Sequence, residues 1–293
     1  MRRGQNFFQL PVTCRRGTQA EGRQLAVGKA VKSRAGGSDR PVDRPSAGRP
    51  PSLVSYCLNR SYQAVVAEPL EFTDKLEANI KAPGSHLPAH PFFAITEFNS
   101  WWLPETKDPD YHLANALYFG GVFNALLRHS QHIFLAESCS LINVQGIVEV
   151  NPVAIKLTPP YFAYLLYANH IGTEILKTEA NAPSVDFGSK PPALDAATSR
   201  SRDGHTLYLA VVNRAQNEAM STQINFKGWQ VAGTQAQIYE LGGKTWDAFN
   251  PYGSTENVNI AHRTVEVTRT PFTYLFPAHA VTVMEVNGSA AAR

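Results

Sequence analysis

The sequence predicts an α/β region followed by an all-β region that forms an antiparallel β-sandwich. Between residues 52 and 174, short apolar runs alternate with segments whose apolar residues recur every three or four positions. That alternation is typical of buried parallel strands joined by helices, as in an α/β barrel or an open α/β sheet. From about residue 175 onward, apolar residues occupy every second position, and Gly, Asn and Pro separate the runs. The second pattern is typical of a sandwich.

The elements of the α/β region follow from local composition. Residues 91–96 form an apolar run after turn-forming residues, which predicts a strand buried on both faces and ending at Glu97. Asp110 is placed to cap the next helix, and Thr158 followed by Pro159 is a typical helix start. The predicted elements are strands at 91–96 and 132–136 and helices at 74–81, 110–127 and 159–170.

The elements of the all-β region follow from alternation. In residues 207–212 and 220–226, side chains fall into two alternating sets, so each run presents one face to a core. The sets proposed to face the core are Leu207, Leu209 and Val211 in the first run and Met220, Thr222, Ile224 and Phe226 in the second. Gly242 and Gly243 are expected to form a turn. Further short strands are predicted at 237–241, 265–268, 273–276 and 280–286.

Charge is unevenly divided along the 293 residues. The net charge is +3, but residues 1–50 carry eleven basic and three acidic residues, so the remainder is mildly acidic. This division excludes a nucleic-acid binder as a reading of the whole chain. Residues 1–51 also hold seven Gly and five Pro, which predicts a disordered basic tail, with a transit peptide or phosphate-binding arm as alternatives. We place the domains at 1–51, 52–174 and 175–293.

Several classes of protein find no support in the sequence. Cys14, Cys57 and Cys139 lack the spacing of a disulfide framework or zinc cluster. His129 and His132 stand three apart without a third ligand nearby, so neither a metal nor a cofactor is expected. No apolar run is long enough to cross a bilayer and no signal peptide is recognisable, so we expect a soluble protein without a membrane partner, with a cytoplasmic location favoured.

Glu97 is the main candidate for chemistry, because a carboxylate at the carboxyl end of a buried parallel strand lies where such folds place active sites. Asn99, Trp101 and Trp102 follow it. Sugar rings stack on indole faces while carboxylates supply acid, base or nucleophile, so this composition indicates a carbohydrate site. The alternative is a structural glutamate with tryptophans that fill a domain junction.

Five segments in order then match a known family. The chain resembles the second half of the catalytic barrel and the C-terminal β-sandwich of glycoside hydrolase family 51 α-L-arabinofuranosidases, over roughly residues 85–287. The segments that carry the resemblance are 94–99 (AITEFN), 113–117 with 124–129, 141–143, 209–214 and 277–283.

The resemblance implies a function in carbohydrate metabolism. Members of the family are retaining hydrolases that remove terminal α-L-arabinofuranosyl groups from arabinose-containing oligo- and polysaccharides, and they need no metal. The glutamate of the family motif is the nucleophile, and Glu97 occupies that position. A retaining site also needs a second carboxyl about 5–5.5 Å away, held protonated to assist the leaving group.

The sequence departs from the family in three respects. The family's acid/base glutamate follows an asparagine on an earlier barrel strand, whereas the only Asn-Glu dipeptide here, Asn217-Glu218, lies in the all-β region. A complete barrel takes about 250 residues, and fewer than 100 precede Glu97. We therefore expect the last two strands of a (β/α)8 barrel plus the sandwich, with negligible activity for this chain alone. In addition, Ser140 stands where many relatives have a sugar-contacting glutamine.

A non-catalytic β-sandwich that binds carbohydrate, or is purely structural, is the alternative function. The exposure of Trp229 and Trp246 distinguishes carbohydrate binding from a purely structural role, because exposed indoles favour binding and buried ones favour a structural role. Glu137 and Glu149, which flank the second predicted strand and its loop, are interpreted as members of structural ion pairs, with a second catalytic carboxyl as the alternative for Glu137 at the strand end. The oligomeric state is left open.

Overall fold

The structure, a computed structural model, describes residues 61–81, 92–100, 111–143, 146–187 and 190–291. The predicted tail at 1–51, the helix cap Asp110, and both Trp101 and Trp102 lie outside the described residues. Among the described helices, none combines the length and the apolar character required to pass through a lipid bilayer.

Three helices and a parallel strand pair form the N-terminal part of the described chain. Strands β1 and β2 pair in parallel, and α2 connects them, which is the βαβ arrangement that the sequence predicts. The elements are α1 (Tyr62–Lys81), β1 (Phe93–Phe98), α2 (Leu113–Arg128), β2 (Ile133–Ser138) and α3 (Pro159–Asn169).

The prediction that the first strand is buried on both faces is wrong, and the second strand, predicted to be buried, is also only partly buried. Phe93, Ile95 and Ile133 are buried and belong to the same hydrophobic core as α2. Thr96 on β1 is exposed, and the Phe134 side chain on β2 retains 49% of its accessible surface. The strands are therefore covered on one face, because the side chains alternate and only one set meets the helices.

The helix starts differ in detail from the prediction. Helix α2 begins after His112, whose backbone N–H donates to the Asn115 side chain at 2.9 Å, rather than after Asp110. Helix α3 does follow Thr158, but the Thr158 hydroxyl donates to the Ile147 carbonyl at 2.7 Å and does not cap the helix. Helix α1 is longer than predicted and contains Pro69.

Helix α2 is the centre of the molecule, with every residue from Leu113 to Leu126 buried. Two adjacent glycines allow its neighbours to come close. A Cβ atom at Gly120 would lie 3.0 Å from the Val212 side chain, and one at Gly121 would lie 2.9 Å from Pro69 of α1. A helix that is apolar all round needs a buried position, and the glycines supply the clearance.

The C-terminal part is an antiparallel β-sandwich, as predicted. Its large sheet has the strand order β11-β10-β13-β7-β6-β5, with β9 added on β13, and β8 pairs with β12 in a second sheet. A separate hairpin, β3–β4, precedes α3. The strands are β3 (Val148–Val150), β4 (Ile155–Leu157), β5 (Glu174–Leu176), β6 (Leu194–Arg200), β7 (Thr206–Asn213), β8 (Met220–Ile224), β9 (Trp229–Val231), β10 (Gln235–Gly243), β11 (Val258–Glu266), β12 (Phe272–Phe276) and β13 (Ala280–Ala290).

The turn expected at Gly242 and Gly243 is absent, since β10 continues through both residues and pairs with β11. Sequence reasoning also missed β6, whose residues LDAATSR contain only one large apolar side chain. Pairing with β7 along its whole length, and with β5 over three residues, supplies the hydrogen bonds that hold it in the sheet. Long-range pairing therefore overrides weak local propensity at this strand.

Two hydrophobic cores lie on opposite faces of the large sheet. The first packs the three helices against it and includes Val212 and Val283. The second lies inside the sandwich and includes Val211 and Met284. Neighbouring residues of β7 and β13 thus face different cores, which ties the helical part and the sandwich to the same sheet.

Candidate functional site

Parallel pairing of β1 and β2 brings the Glu97 carboxylate to the end of β2. Phe98 is in register with Ser138, and the backbone N–H of Cys139 donates to the Phe98 carbonyl at 2.9 Å. Glu97 lies one residue before the end of β1 and is exposed to solvent. Because both strands run in the same direction, their carboxyl ends meet at one edge, where side chains from two loops converge.

The neighbouring Glu97 side chain and, secondarily, burial raise the pKa of the Cys139 thiol, while a contact with Ser140 acts in the opposite direction. The Cys139 Sγ and Ser140 Oγ atoms are 3.8 Å apart. Ser140 itself has a φ of 58°, in the left-handed region that few residues other than glycine adopt.

The side chain of Asn99, two residues after Glu97, is held by hydrogen bonds to neighbouring residues of this edge. Its side-chain oxygen accepts hydrogen bonds from the Tyr111 hydroxyl at 2.8 Å and from the Ser100 N–H at 2.9 Å. Its side-chain nitrogen donates to the Cys139 carbonyl at 3.1 Å. Asn99 therefore links the loop after β1 to the loop after β2 and fixes the distance between them.

Two largely buried tyrosines, Tyr111 and Tyr164, form hydrogen bonds with residues at the ends of β1 and β2. Burial raises the pKa of Tyr111 far above its ordinary value, and the neighbouring Cys139 and Glu149 act in the same direction. Burial also raises the pKa of Tyr164 to about 12, opposed by a hydrogen bond with Ser138. Both phenols thus remain protonated at neutral pH and act as hydrogen-bond donors.

Glu149 belongs to an ion pair, as the sequence interpretation proposes. Its carboxylate lies 3.2 Å from the Lys156 ammonium, and the Tyr252 hydroxyl donates to it at 3.2 Å. The Lys156 side chain is buried and lies over the Phe249 and Tyr252 rings. This cluster attaches the β3–β4 hairpin to the sandwich. Glu137, in contrast, is exposed on β2.

The remaining sequence candidates have structural surroundings. Trp229 is buried in the sandwich core, and Trp246 is half-buried with its ring 5.3 Å from that of Tyr62. Both positions match the structural rather than the sugar-binding interpretation of these tryptophans. His129 lies 3.4 Å from Glu77 of α1, and burial lowers the pKa of its imidazole.

A second concave surface lies on the sandwich. It is a groove of about 620 Å³ between the end of β10, the following loop and the start of β13. Its lining includes Glu240, Asp247, Lys244 and Asn257, and it contains none of the residues around Glu97. The groove and the Glu97 edge are therefore separate features.

Sequence reasoning placed Glu97 and Asn99 at this edge but missed Cys139 and Tyr111. Cys139 was considered only as a disulfide partner or metal ligand, and Tyr111 fell within the helix predicted at 110–127, where it was given no role. The one available signal was the position of Cys139 directly after the second strand, since strand ends converge in parallel sheets.

Comparisons with known proteins agree with this architecture. Residues 96–280, more than half of the chain, match the family described as the α-L-arabinofuranosidase C-terminal domain. No curated protein sequence matches the chain.

Solved structures extend the comparison. The α-L-arabinofuranosidase from Thermotoga maritima, solved in complex with arabinose, is 26% identical with a TM-score of 0.63, covering 78% of this chain and 50% of the other. The family 51 enzyme from Thermotoga petrophila is 26% identical with a TM-score of 0.61, covering 77% and 48%. A family 51 enzyme from Bifidobacterium longum, 18% identical with a TM-score of 0.65 over 79% and 50%, shares the fold.

This chain thus spans about half the length of the enzymes that it matches. The family match itself begins within β1, at residue 96, and ends at residue 280, where β13 begins. On the family match and these structural neighbours, the chain belongs to the α-L-arabinofuranosidase C-terminal domain family and corresponds to the C-terminal portion of glycoside hydrolase family 51 enzymes.

Proposed function

We propose that this chain carries the nucleophile side of a retaining α-L-arabinofuranosidase site, with Glu97 as the nucleophile. The observation that carries the proposal is the exposed Glu97 carboxylate at the carboxyl end of a parallel strand, beside the end of its partner strand. The proposed substrates are terminal α-L-arabinofuranosyl groups of arabinose-containing oligo- and polysaccharides. The Thermotoga maritima neighbour, solved with arabinose, supports a sugar of this class.

The βαβ unit of β1, α2 and β2 is proposed to be the last part of a (β/α)8 barrel. In support, its strands are parallel and its connecting helix is buried from Leu113 to Leu126. The domain division at 52–174 and 175–293 is proposed on the same basis. Strand β5, which starts at Glu174 and pairs with β6, agrees with a sandwich that begins close to this boundary.

The chemistry divides between two carboxyl groups. In the first step a Glu97 oxygen forms a bond to the anomeric carbon while the bond to the leaving-group oxygen breaks, and a protonated carboxyl supplies the proton to that oxygen. The family resemblance places this acid/base upstream of the nucleophile. Loss of general-acid assistance typically costs about 10² to 10⁴ in rate, so we propose that the chain alone has negligible activity on natural linkages.

Asn99, Trp101 and Trp102 are proposed to form the wall of the sugar site next to Glu97. For Asn99 the described hydrogen bonds favour a supporting position, since its side chain links the two strand ends. The tryptophans would supply stacking faces for the sugar ring.

A substrate whose leaving group departs without protonation tests whether Glu97 acts as a nucleophile in the absence of an acid/base. Dinitrophenolate leaves as a stable anion, so an activated dinitrophenyl α-L-arabinofuranoside can transfer its sugar to Glu97 without acid assistance. We expect intact-mass spectrometry to show one pentosyl group on the chain, located on Glu97 by peptide mapping. Azide, which needs no general base, should remove the group faster than water does.

Two variants make the result specific. Glu97→Gln should abolish labelling, while Glu137→Gln, which changes an exposed carboxylate on the neighbouring strand, should label like the unmodified chain. Absence of pentosyl transfer to a chain with an intact circular dichroism spectrum would refute the nucleophile assignment. Rapid hydrolysis of p-nitrophenyl α-L-arabinofuranoside, lost in Glu97→Gln, would instead show that an acid/base is present and that the chain is complete for catalysis.

A further inference from the structure

We propose that strand β11 is a dimerisation surface, whose free edge pairs in antiparallel fashion with β11 of a second copy of this chain. The large sheet ends at β11 on one side and at β5 on the other. Strand β5 has three residues, whereas β11 has nine, and β10 is its sole strand partner among the described residues. A long edge strand presents a row of unpaired N–H and C=O groups that a further strand can bind. The dimer does not depend on the proposed glycosidase chemistry.

Strand β11 lacks the features that commonly block pairing at the edge of a sheet. It contains neither proline nor lysine. All nine of its residues pair with β10 in one continuous register, so no β-bulge turns the edge away from a neighbouring strand. The side chains from Ala261 to Thr264 are all exposed. The edge is therefore regular, long and open within the described part of the chain.

Alternate residues of β11 direct their backbone hydrogen-bonding groups away from β10. Val258 belongs to this outward set, because its N–H donates to the Asn250 side chain at 2.9 Å and its carbonyl accepts from the same side chain at 2.8 Å. No other described element bonds the backbone groups of the later outward residues, so they are left for an intermolecular strand. These later residues are Ile260, His262, Thr264 and Glu266.

One register makes this edge complementary to itself. A two-fold axis at Thr264 places His262 opposite Glu266 of the second copy, and the symmetry repeats this pair on the other side of the axis. Both side chains are exposed, and cross-strand partners lie about 5 Å apart at their Cβ atoms, so the imidazole can bond to the carboxylate. An axis at Arg263 would instead place two guanidinium groups opposite each other. The side chains therefore favour the register centred on Thr264.

His262 is already held in place by its own sheet. Its ring stacks on the Tyr239 ring with centroids 4.6 Å apart, and its Nε2 atom lies 2.8 Å from the Gln237 side-chain oxygen. Tyr239 stacks in turn on His170 with centroids 3.6 Å apart. The Nδ1 atom of His262 is the ring nitrogen left for a bond to the second copy. Because the imidazole is fixed before association, little side-chain entropy is lost when the bond forms.

Sedimentation equilibrium of the full chain tests the dimer. A single added strand pair makes a small interface of weak affinity, so the measurement should run from about 1 μM to about 1 mM. We expect a mass that rises with concentration from 32.2 kDa toward twice that value. A parent chain that stays at 32.2 kDa over the whole range would overturn the proposal.

A proline at the centre of the edge tests whether β11 is the surface that associates. The Thr264 N–H points away from β10, so Thr264→Pro removes no hydrogen bond within the sheet and should leave a folded monomer. Thr264→Val keeps the N–H and the branched side chain, and should dimerise like the parent. Circular dichroism melts check the fold of both variants. A dimer that persists in folded Thr264→Pro would show that another surface associates.

Charge substitution tests the register without a change to the backbone. His262→Glu places two carboxylates opposite each other in both symmetric pairs, so Kd should rise by about three- to tenfold. Glu266→Lys added to the same chain restores opposite charges and should return Kd to within about twofold of the parent value. A parental Kd in His262→Glu would exclude this pairing.

A disulfide locates the two-fold axis. In a chain with Cys14, Cys57 and Cys139 replaced by Ser, Thr264→Cys places thiols of the two copies on adjacent strands with Cα atoms about 5.5 Å apart, within the range of a disulfide. We expect oxidation to give a covalent dimer on a non-reducing gel. His262→Cys is the control, because its two copies would lie about 14 Å apart. Absence of the covalent dimer in Thr264→Cys, or equal amounts in both variants, would overturn the proposal.

Discussion

The Arg214 guanidinium donates a hydrogen bond to the Asp195 carboxylate, and both side chains are almost completely excluded from solvent. Arg128 of α2 reaches the other Asp195 oxygen at 2.5 Å. Arg214 also donates to the Val66 carbonyl of α1 at 3.1 Å, and the Tyr62 hydroxyl donates to the Arg214 carbonyl at 3.0 Å. One buried carboxylate therefore connects two helices to the large sheet, and these helices position the strand pair that carries Glu97.

Removal of the Asp195 carboxylate should strongly destabilise the protein. Asp195→Ala leaves the buried Arg214 without its counter-charge, so we expect the free energy of unfolding to fall by about 3–5 kcal/mol. Urea denaturation followed by circular dichroism measures the change. Glu174→Ala is the control, because Glu174 pairs with Arg200 of the same strand β6 at the surface and should cost at most about 1 kcal/mol. Equal losses in the two variants would contradict the role of burial.

A methyl group at Gly121 should loosen the contact between α1 and α2. Its Cβ would lie 2.9 Å from two atoms of the rigid Pro69 ring. Overpacking of this kind costs about 1–3 kcal/mol, and the gain in helix propensity of up to about 1 kcal/mol offsets only part of it. Thermal melting should show a lower midpoint for Gly121→Ala. Gly242→Ala is the control, because no atom lies within 4 Å of the added Cβ, and its melting midpoint should stay close to that of the parent. A melting midpoint of Gly121→Ala equal to that of the parent would refute the packing argument.

Glu68 of α1 should make stability depend on pH. Burial raises the pKa of its carboxyl to about 7, with a smaller contribution from Glu71. In the unfolded chain the group titrates near its ordinary value of 4.5, so the folded state holds the proton more tightly between these two values. Stability should therefore fall as pH rises from about 4.5 to about 7, by a total on the order of 3 kcal/mol.

Urea unfolding at a series of pH values measures this dependence. Glu68→Gln cannot ionise, so its stability should vary less over the same range and exceed that of the parent at pH 8. Asp74→Asn changes an exposed carboxylate of the same helix and should keep the parental profile. A parental slope in Glu68→Gln would exclude Glu68 as the titrating group.

Tyr111 should stabilise the edge that presents Glu97. Tyr111→Phe removes the hydroxyl that donates to the Asn99 side chain at 2.8 Å and to the Ser100 carbonyl at 3.1 Å. Leaving these acceptors without the donor should cost about 1–2 kcal/mol in urea denaturation. Tyr208→Phe, a half-buried tyrosine of β7, serves as the comparison and should cost less. Indistinguishable losses would argue against a specific role for the Tyr111 hydroxyl.

Local patterns predicted many elements but not all of them. The strand pair, α3 and most of the long sandwich strands were found because their apolar residues recur at the period of a strand or helix. Strands β3, β4, β5, β6 and β9 were missed, since three-residue strands show no period and β6 is only weakly apolar. The strand predicted at 265–268 overlaps only the last two residues of β11. The run of two glycines was read as a turn, yet pairing with β11 holds both in β10.

The sequence by itself determined the two-region architecture and the position of Glu97 near the carboxyl end of a parallel strand, because both follow from local periodicity. Only the tertiary structure decided that Cys139, more than forty residues further along the chain, lies beside the end of β1, where its backbone N–H donates to the Phe98 carbonyl. This contact depends on the register between β1 and β2, which the packing of α2 against α1 and the sheet fixes. Register is a long-range property, and no local pattern in either strand encodes it.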